Sequence, residues 1–215
     1  MADQSAIDRA VANLHWLGHD CFRLDSSQGP IYFDPFQLEG GPTARLILCS
    51  HDHFDHCVAE EIAKIRDDQT VIVTEPNCAA KLGSQGVKLI KPGQSLELPG
   101  IKVSALPAYN TNKQFHPKAN GWVGFVVEVD GVRVYHAGDT DFIPEMKGLK
   151  VDIALLPVSG TYVMTAEEAV EAALAIQPGL AIPMHYGAIV GDESDADRFA
   201  KALAGKLPVK VLSKE

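Results

Sequence analysis

Short runs of branched and aromatic residues, separated by turn-forming residues, dominate the first half of the chain and predict β-strands. The runs cover 14–18, 21–24, 31–34, 45–50, 70–74, 87–90, 95–98 and 101–105. Helical spacing interrupts this pattern, because Val58, Ile62 and Ile65 recur at i, i+4 and i+7. A second short helix is predicted at 77–82. Strands and helices therefore alternate, as in an α+β protein.

A β-hairpin is the clearest prediction for the second half, because the runs 123–129 and 132–136 are joined by Asp130-Gly131. A strand at 151–157, a helix at 165–176 and a strand at 180–184 follow. Thr165 and Glu168 form a predicted capping box at the helix start. Ser194 and Asp197 are predicted to cap a helix that runs to Leu203, before a final strand at 209–212.

The amino-acid composition is that of a globular protein. The 215 residues are 46% hydrophobic and 22% charged, which predicts one globular domain, 1–215. The net charge of −9 comes without a basic cluster, so no nucleic-acid partner is expected. No apolar stretch approaches membrane-spanning length, and no signal peptide precedes the first strand. We therefore expect a cytoplasmic protein with reduced cysteines.

Metal-binding residue types concentrate at residues 50–56, Ser-His-Asp-His-Phe-Asp-His, directly after the run at 45–50. His51 and His53 point the same way in an extended backbone, so both can bind one cation. Asp55 and His56 follow on the turn into the next helix and can reach a second cation. Imidazole with carboxylate suits zinc, manganese or iron better than calcium or magnesium.

Two later segments can complete such sites. Gly138 lets the chain turn sharply before Asp139, whose carboxylate is then free to bridge two cations. His185 follows the predicted strand 180–184, with a glycine close behind it. The loop 107–120 is too long for a simple turn, and loops of this length are often functional.

The segments HDHFDH, HAGDTD and IPMHYG resemble the metallo-β-lactamase superfamily. Within it, the chain is similar to small metal-dependent hydrolases such as ascorbate-6-phosphate lactonases and N-acyl-phosphatidylethanolamine phospholipases. The resemblance implies a metallo-β-lactamase fold, an αββα sandwich of two mixed sheets with helices on the outside. It also implies two divalent metal ions, zinc or manganese, iron or nickel, and it leaves a homo-oligomer open.

The resemblance assigns His51, His53 and a third histidine to one metal, and Asp55, His56 and His185 to the other, with Asp139 bridging. Relatives have the third histidine directly after a proline–alanine–aromatic step, where this chain has Asn110. His116 lies six residues further on in the same loop. We expect His116 to replace the missing ligand, with Asn110 as the alternative.

Further residues are candidates for supporting the ligands or holding the substrate. His19, Asp34, Asp52 and His136 are candidates for hydrogen bonds to the ligands. Lys118, Tyr109 and Tyr186 lie in or beside loops expected at the mouth and are candidates for binding an anionic group.

The predicted activity is hydrolysis of a small, anionic ester, either a phosphodiester or a lactone, by a metal-bound hydroxide. Asp55 and Asp139 are the predicted catalytic carboxylates. The alternative is a non-catalytic metal-binding or sensing protein that retains the fold. A redox di-iron protein is disfavoured, because such relatives carry glutamate where this chain has His53.

Overall fold

Two six-stranded β-sheets face each other in the computed structural model, which describes residues 2–215. The first sheet follows chain order and consists of β1 (Leu14–Gly18), β2 (Cys21–Ser26), β3 (Gly29–Phe33), β4 (Leu46–Cys49), β5 (Val71–Thr74) and β6 (Val87–Leu89). β1, β2 and β3 pair antiparallel, whereas β3 to β6 pair parallel. The sheet is therefore mixed, as expected.

The second sheet is also mixed and runs in the order β12-β11-β10-β9-β8-β7. Its strands are β7 (Ser95–Leu98), β8 (Ile101–Pro107), β9 (Val123–Val129), β10 (Val132–His136), β11 (Ile153–Pro157) and β12 (Leu180–Met184). β7 to β10 pair antiparallel, and β10 to β12 pair parallel. The aromatic ring of Phe33 in β3 stacks on His136 in β10 at 5.2 Å, so the two sheets touch directly.

Alternation along the strands separates an inner core from an outer layer. In β4, Leu46 and Leu48 join the large core shared with the second sheet. Ile47 and Cys49 point the other way, into a smaller core that contains Ile62 and Cys78. The helices are α1 (Gln4–Ala12), α2 (Ala59–Ala63), α3 (Pro76–Leu82), α4 (Ala166–Ile176) and α5 (Glu193–Leu203). The predicted fold class, two mixed sheets with helices packed on them, is confirmed.

Several predicted elements are confirmed at the residue level. The hairpin, the strand at 180–184 and the strand at 95–98 have the predicted bounds. The capping box at the start of α4 is present, since Thr165 accepts from the backbone of Glu168 and Glu168 accepts from that of Thr165. Among residues 2–215, no helix has the length and apolarity to cross a membrane. All four cysteines are free.

Two predictions near the carboxyl end are wrong. The cap of α5 is Asp192, which shares a capping box with Asp195, so Ser194 and Asp197 do not cap the helix. The segment 209–212 forms no strand of its own. It makes one bridge from Val209 to β12 of the second sheet, and Lys214 then bridges to β1 of the first sheet. Because the chain crosses from one sheet to the other here, it cannot extend a ladder along either.

A candidate metal centre at the carboxyl ends of the strands

The candidate residues follow strands that run in one direction and therefore end at the same edge of their sheet. In the first sheet, His19 follows β1, Asp34 follows β3 and His51 follows β4. In the second sheet, Asn110 follows β8, Asp139 follows β10 and His185 follows β12. The two edges meet, because Nε2 of His56 lies 3.4 Å from Oδ1 of Asp139. The topology thus places one histidine–aspartate cluster between the two sheets.

His51, His53 and His116 form the first group of ligand-type atoms, which all lie within 4.8 Å of one another. Nε2 of His51 is 3.0 Å from Nδ1 of His53. The indole of Trp122 is a wall of the group, with its ring centre 4.8 Å from that of His51 and 4.7 Å from that of His53. Three imidazoles at this spacing can hold one metal ion.

Asp20, His56, Asp139 and His185 form the second group, also within 4.8 Å, and His19 groups with His56 and His185 in the same way. Asp139 lies between the two groups. Its Oδ2 is 3.1 Å from Nε2 of His116 and 3.3 Å from Nε2 of His185. One carboxylate therefore faces histidines of both groups, which is the position of a bridging ligand.

Hydrogen bonds orient three of the imidazoles from behind. Nδ1 of His56 donates to Oδ2 of Asp34 at 2.8 Å. The Ser50 hydroxyl also donates to Asp34, at 2.6 Å, so its oxygen accepts from Nδ1 of His51 at 2.9 Å. Nδ1 of His185 lies 2.8 Å from the Ser159 hydroxyl. These bonds leave Nε2 of each ring for the centre.

Asn110 lies behind His116. Its amide oxygen accepts from the backbone N–H of His116 at 2.9 Å and lies 3.2 Å from Nδ1 of the same residue. Its amide nitrogen donates to Asp141 at 3.1 Å and to the carbonyl of Tyr162 at 2.9 Å. The oxygen and the nitrogen of the amide are therefore both hydrogen-bonded within the protein. His116 is the residue whose side chain groups with His51 and His53.

Burial and neighbouring charges shift the pKa values of these histidines in opposite directions. Burial lowers the pKa of His51, with a contribution from His56, and lowers the pKa of His53, with a contribution from His116. Burial opposes protonation of His185 too, but Asp139 and Asp20 raise its pKa to about 9. Burial likewise disfavours the charge of His56, yet Asp139 and Asp34 raise its pKa well above the usual value. A cation bound at the second group must displace these protons.

The pKa values of two buried carboxyl groups, those of Asp139 and Asp20, are shifted in opposite directions. Burial opposes ionisation of Asp139, but His185 and His56 hold its pKa well below the ordinary range. Burial raises the pKa of Asp20 well above the ordinary range, and His185 offsets only part of this effect. Asp139 is thus an anion at neutral pH, whereas Asp20 lacks the partners that would stabilise its charge.

Unpartnered polar atoms show that the cluster fits divalent cations. Among the described residues, Nε2 of His56, Nε2 of His116, Oδ1 of Asp139 and both carboxyl oxygens of Asp20 are buried without a hydrogen-bond partner. Buried polar atoms are normally satisfied, and such a concentration of exceptions marks a binding site. Imidazole nitrogens and carboxylate oxygens are also the donors that zinc, manganese and iron prefer.

A cavity of about 340 Å³ opens onto this cluster. It is lined by His53, Phe54, Asp55, Phe115, His116, Asp139, Tyr162 and Ile189. Phe54, Phe115 and Ile189 are 71%, 51% and 39% exposed, so the mouth is apolar. No lysine or arginine is among these lining residues.

Asp55 lies at the edge of the centre. Its Oδ2 accepts from Nε2 of His19 at 3.1 Å and lies 3.7 Å from Nε2 of His56. Burial opposes its ionisation, but the His19 hydrogen bond lowers its pKa. Asp55 also lines the cavity, whereas the carboxylate grouped with His56, Asp139 and His185 is that of Asp20.

Other candidates lie away from the cluster. The Asp52 carboxylate is 3.6 Å from Lys81 and faces that lysine. His136 is buried between the sheets, with Nε2 donating to the carbonyl of Asp20 at 2.8 Å. His136 and Asp52 therefore do not bond to the ligand side chains, unlike Asp34 and His19.

The residues expected to hold an anionic substrate do not line the cavity. Lys118 pairs with Glu145 at 2.9 Å, and the Tyr109 hydroxyl donates to the same carboxylate. Tyr186 is buried against Trp16, with ring centres 4.7 Å apart. Proximity in sequence to the metal segments did not place these side chains at the mouth, because each packs against other partners, Glu145 or Trp16.

Sequence reasoning missed Asp20, Ser50 and Ser159. Asp20 directly follows His19 in the turn after β1, and Ser50 directly precedes His51. Adjacency to a candidate histidine was the available signal for these two residues. No comparable signal in the sequence pointed to Ser159, because it is 26 positions away from His185, the residue it contacts.

Comparisons with known proteins identify the family and agree with the fold. A family model described as the beta-lactamase superfamily domain matches residues 13–185. A UPF0173 metal-dependent hydrolase from Thermoplasma acidophilum is 36% identical over 216 residues, covering 93% of this chain and 94% of the relative. The chain therefore belongs to the β-lactamase superfamily and, within it, to the UPF0173 family of metal-dependent hydrolases.

Solved structures support the same assignment. A protein from Parabacteroides distasonis, assigned as a metal-dependent hydrolase, superposes with a TM-score of 0.83 at 33% identity, covering 92% of this chain and 91% of that one. Igni18, a metallo hydrolase from Ignicoccus hospitalis, has a TM-score of 0.74 at 25% identity and covers 94% of both chains. The resemblance to the metallo-β-lactamase superfamily inferred from the sequence motifs is confirmed.

Proposed function

We propose that this protein is a dinuclear metal-dependent hydrolase that cleaves a small ester, either a phosphodiester or a lactone. The observation that carries the proposal is the convergence of unpartnered Nε2 and carboxylate atoms of His56, His116 and Asp139 beside an open cavity. His51, His53 and His116 would hold one cation, and His56 and His185 the other, with Asp139 shared between them.

Bound divalent cations supply an acidified water as nucleophile and Lewis-acid stabilisation of the negative charge that develops on the substrate. The chain's own residues hold this chemistry in place. Asp34 and Ser50 fix the rings of His56 and His51, so that their Nε2 atoms need no reorganisation. Asp55 lines the cavity beside the centre and, through its bond to His19, remains an anion that can accept a proton.

The cavity supports a substrate with an apolar group next to the scissile ester. Phe54, Phe115 and Ile189 offer apolar surface at the mouth, and burying such surface favours binding by about 25 cal/mol per Å². Since no lysine or arginine is among the lining residues, negative charge on the reacting group would be balanced by the bound cations.

The test is reconstitution of the metal-free protein with zinc, manganese, iron or nickel, followed by elemental analysis and hydrolysis assays. The substrates are bis-p-nitrophenyl phosphate and a pair of lactones that differ only in the length of an alkyl side chain. We expect two metals per chain, turnover of at least one class, and about tenfold higher kcat/KM for the longer lactone if lactones are cleaved.

Matched histidine variants give the control. His56→Ala should abolish turnover and reduce metal content, whereas His15→Ala should not, because His15 pairs with Glu215 and Asp25 outside the centre. Loss of turnover in both variants would contradict the assignment of the centre. Two bound metals with no turnover of either substrate class would instead favour a metal-binding or sensing protein that retains the fold.

A further inference from the structure

Asp141 is 1% exposed, and its carboxylate accepts hydrogen bonds from one loop of the protein. Oδ1 accepts from the amide nitrogen of Asn110 at 3.1 Å and from Nζ of Lys113 at 2.7 Å. Oδ2 accepts from the backbone N–H groups of Thr111 at 2.7 Å and Asn112 at 3.2 Å. Donors from four consecutive residues therefore meet at one buried carboxylate.

The burial of this charge makes the contacts hard to break. A buried carboxylate is stable only when its charge is paired and its oxygens accept hydrogen bonds. Lys113 supplies the opposite charge, and its side chain is only 14% exposed. Movement of the loop away from Asp141 would leave this charge without a partner, so the carboxylate holds residues 110–113 in one place.

Asn110 connects this anchored part of the loop to His116. The backbone N–H of Asn110 donates to the carbonyl of His116 at 2.8 Å, and the Asn110 amide oxygen accepts from the backbone N–H of His116 at 2.9 Å. The carbonyl of Tyr162, which also accepts from the Asn110 amide, lies 3.1 Å from Nδ1 of His116. The position of the His116 ring therefore depends on where the Asn110 amide is held, and Asp141 holds it.

The segment that contains Asp141 also carries the carboxylate shared in the proposed centre, since Asp139 is two residues earlier. The Thr140 hydroxyl accepts from the backbone N–H of Tyr109 at 3.1 Å, and the backbone N–H of Asp141 donates to the carbonyl of Tyr109 at 3.0 Å. Nε2 of His116 lies 3.1 Å from Oδ2 of Asp139. The placement of these two proposed ligands relative to each other thus depends on the contacts between this segment and the loop.

We propose that Asp141 is a positioning residue that places His116 at the metal centre through Asn110. Asp141 belongs to none of the groups of ligand-type atoms, and its oxygens are occupied by the loop. The proposal rests on the proposed function and deepens it, because it assigns the support of one ligand to a residue outside the cluster. Replacement of Asp141 should weaken the cation of His51, His53 and His116 while every ligand side chain remains present.

The test compares Asp141→Asn with Asp152→Asn, an identical chemical change at two buried carboxylates. Asp152 is 2% exposed, and its oxygens accept from the backbone N–H groups of Ala2 at 2.6 Å and Arg133 at 2.8 Å. It directly precedes β11, at the end of that strand away from the centre. In each variant an N–H₂ group replaces an accepting oxygen, so the disturbance of the local hydrogen bonds is comparable.

Metal-free proteins are titrated with Zn²⁺ against a chromophoric chelator, and Co²⁺-loaded samples are compared by visible absorption. We expect Asp141→Asn to weaken the binding of one cation about 10- to 100-fold and to alter the Co²⁺ spectrum. Asp152→Asn should leave the Zn²⁺ affinity within about twofold of the wild-type value. Since Asp141 acts through His116, adding Asp141→Asn to His116→Ala should cause less than about twofold further loss.

Urea unfolding of the metal-free variants shows whether each is folded, and Lys113→Met carries the test if Asp141→Asn is not. Lys113→Met leaves the buried carboxylate without its ammonium partner and should weaken the same metal site about tenfold. Wild-type Zn²⁺ affinity in the folded variant would overturn the proposal while leaving the metal centre intact. An equal loss in Asp152→Asn, or a fully additive loss in the double variant, would also overturn it. A wild-type protein that binds no metal would overturn both the proposal and the proposed function.

Discussion

At the scale of single residues, the centre depends on which nitrogen of each imidazole is hydrogen-bonded to the surrounding protein. Each supported ring is bonded through Nδ1, to Ser50 for His51, to Asp34 for His56, to Asn110 for His116 and to Ser159 for His185. Nε2 of each of the four rings then faces Asp139 and lies within 4.0 Å of its carboxylate. Since neutral imidazole binds a metal through its unprotonated nitrogen, these bonds select the tautomer that the centre needs.

Backbone strain accompanies the same residues. His19, Asp34 and His185 have φ angles of 53°, 40° and 62°, a region that residues other than glycine rarely adopt. All three directly follow a strand and contribute to the cluster. Strained residues of this kind persist where the surrounding structure determines them, and they are frequent in functional sites.

Asn110→Ala should weaken metal binding at the group of His51, His53 and His116 by about 10- to 100-fold, because it removes the acceptor that orients His116. His116→Ala should have a larger effect, since it removes the ligand itself. Both effects are measured by Zn²⁺ competition titration. Metal loss in Asn110→Ala together with wild-type binding in His116→Ala would make the amide the ligand.

Asn120→Ala is the matched control for this prediction. Asn120 lies in the same loop, but it is exposed to solvent. Its Zn²⁺ affinity should remain within about twofold of the wild-type value, since interactions outside the centre have small effects.

At the scale of secondary-structure elements, the amino end of α4 connects to the loop that carries His116. Glu168 closes the capping box with Thr165, and its carboxylate also accepts from Asn112 at 2.8 Å. Lys113 pairs with the same carboxylate and with Asp141, which in turn accepts from Asn110. The helix start, the loop and the His116 support are therefore one network.

Thr165→Ala should lower the free energy of unfolding by about 1 kcal/mol, because it leaves a backbone N–H of the first helical turn without its partner. Urea unfolding of the metal-free protein measures this difference. Thr43→Ala is the control, since Thr43 is exposed and should change the free energy by less than about 0.5 kcal/mol. Equal stability of the two variants would show that the cap contributes nothing.

At the scale of the whole molecule, the proposed ligands come from both sheets. His51, His53 and His56 follow β4 of the first sheet, whereas Asp139 and His185 follow strands of the second sheet. Bound cations would join the two edges where they meet. Metal binding should therefore stabilise the entire fold, because the unfolded chain cannot bring these segments together.

Metal removal should lower the free energy of unfolding by about 2.7 kcal/mol relative to protein held at free metal 100 times the dissociation constant. Thermal unfolding with added Zn²⁺ and with a chelator measures the difference. His185→Ala should show a smaller gain from metal, and His15→Ala the full gain. Identical unfolding curves with metal and with chelator would contradict a metal that joins the sheets.

Local sequence determined much of this protein. Alternating apolar residues and the Asp130-Gly131 turn specify the hairpin, since register and turn type depend on neighbouring positions only. The cluster at residues 51–56 likewise carries its chemistry within a few residues, which is why the superfamily could be inferred from its motif. The broad fold class could thus be predicted, and so could the candidate histidines that the structure brings together.

Only the tertiary structure decided the rest, because the deciding contacts join residues that are far apart in the chain. The sequence favoured His116 over Asn110 as a candidate ligand, but it did not place the Asn110 amide, which Asp141 and the carbonyl of Tyr162 hold behind His116. The placement of Asp20 beside Asp139 depends on the meeting of two sheets. Such contacts depend on how the sheets pack, and the pattern of residues along any single strand does not encode that packing.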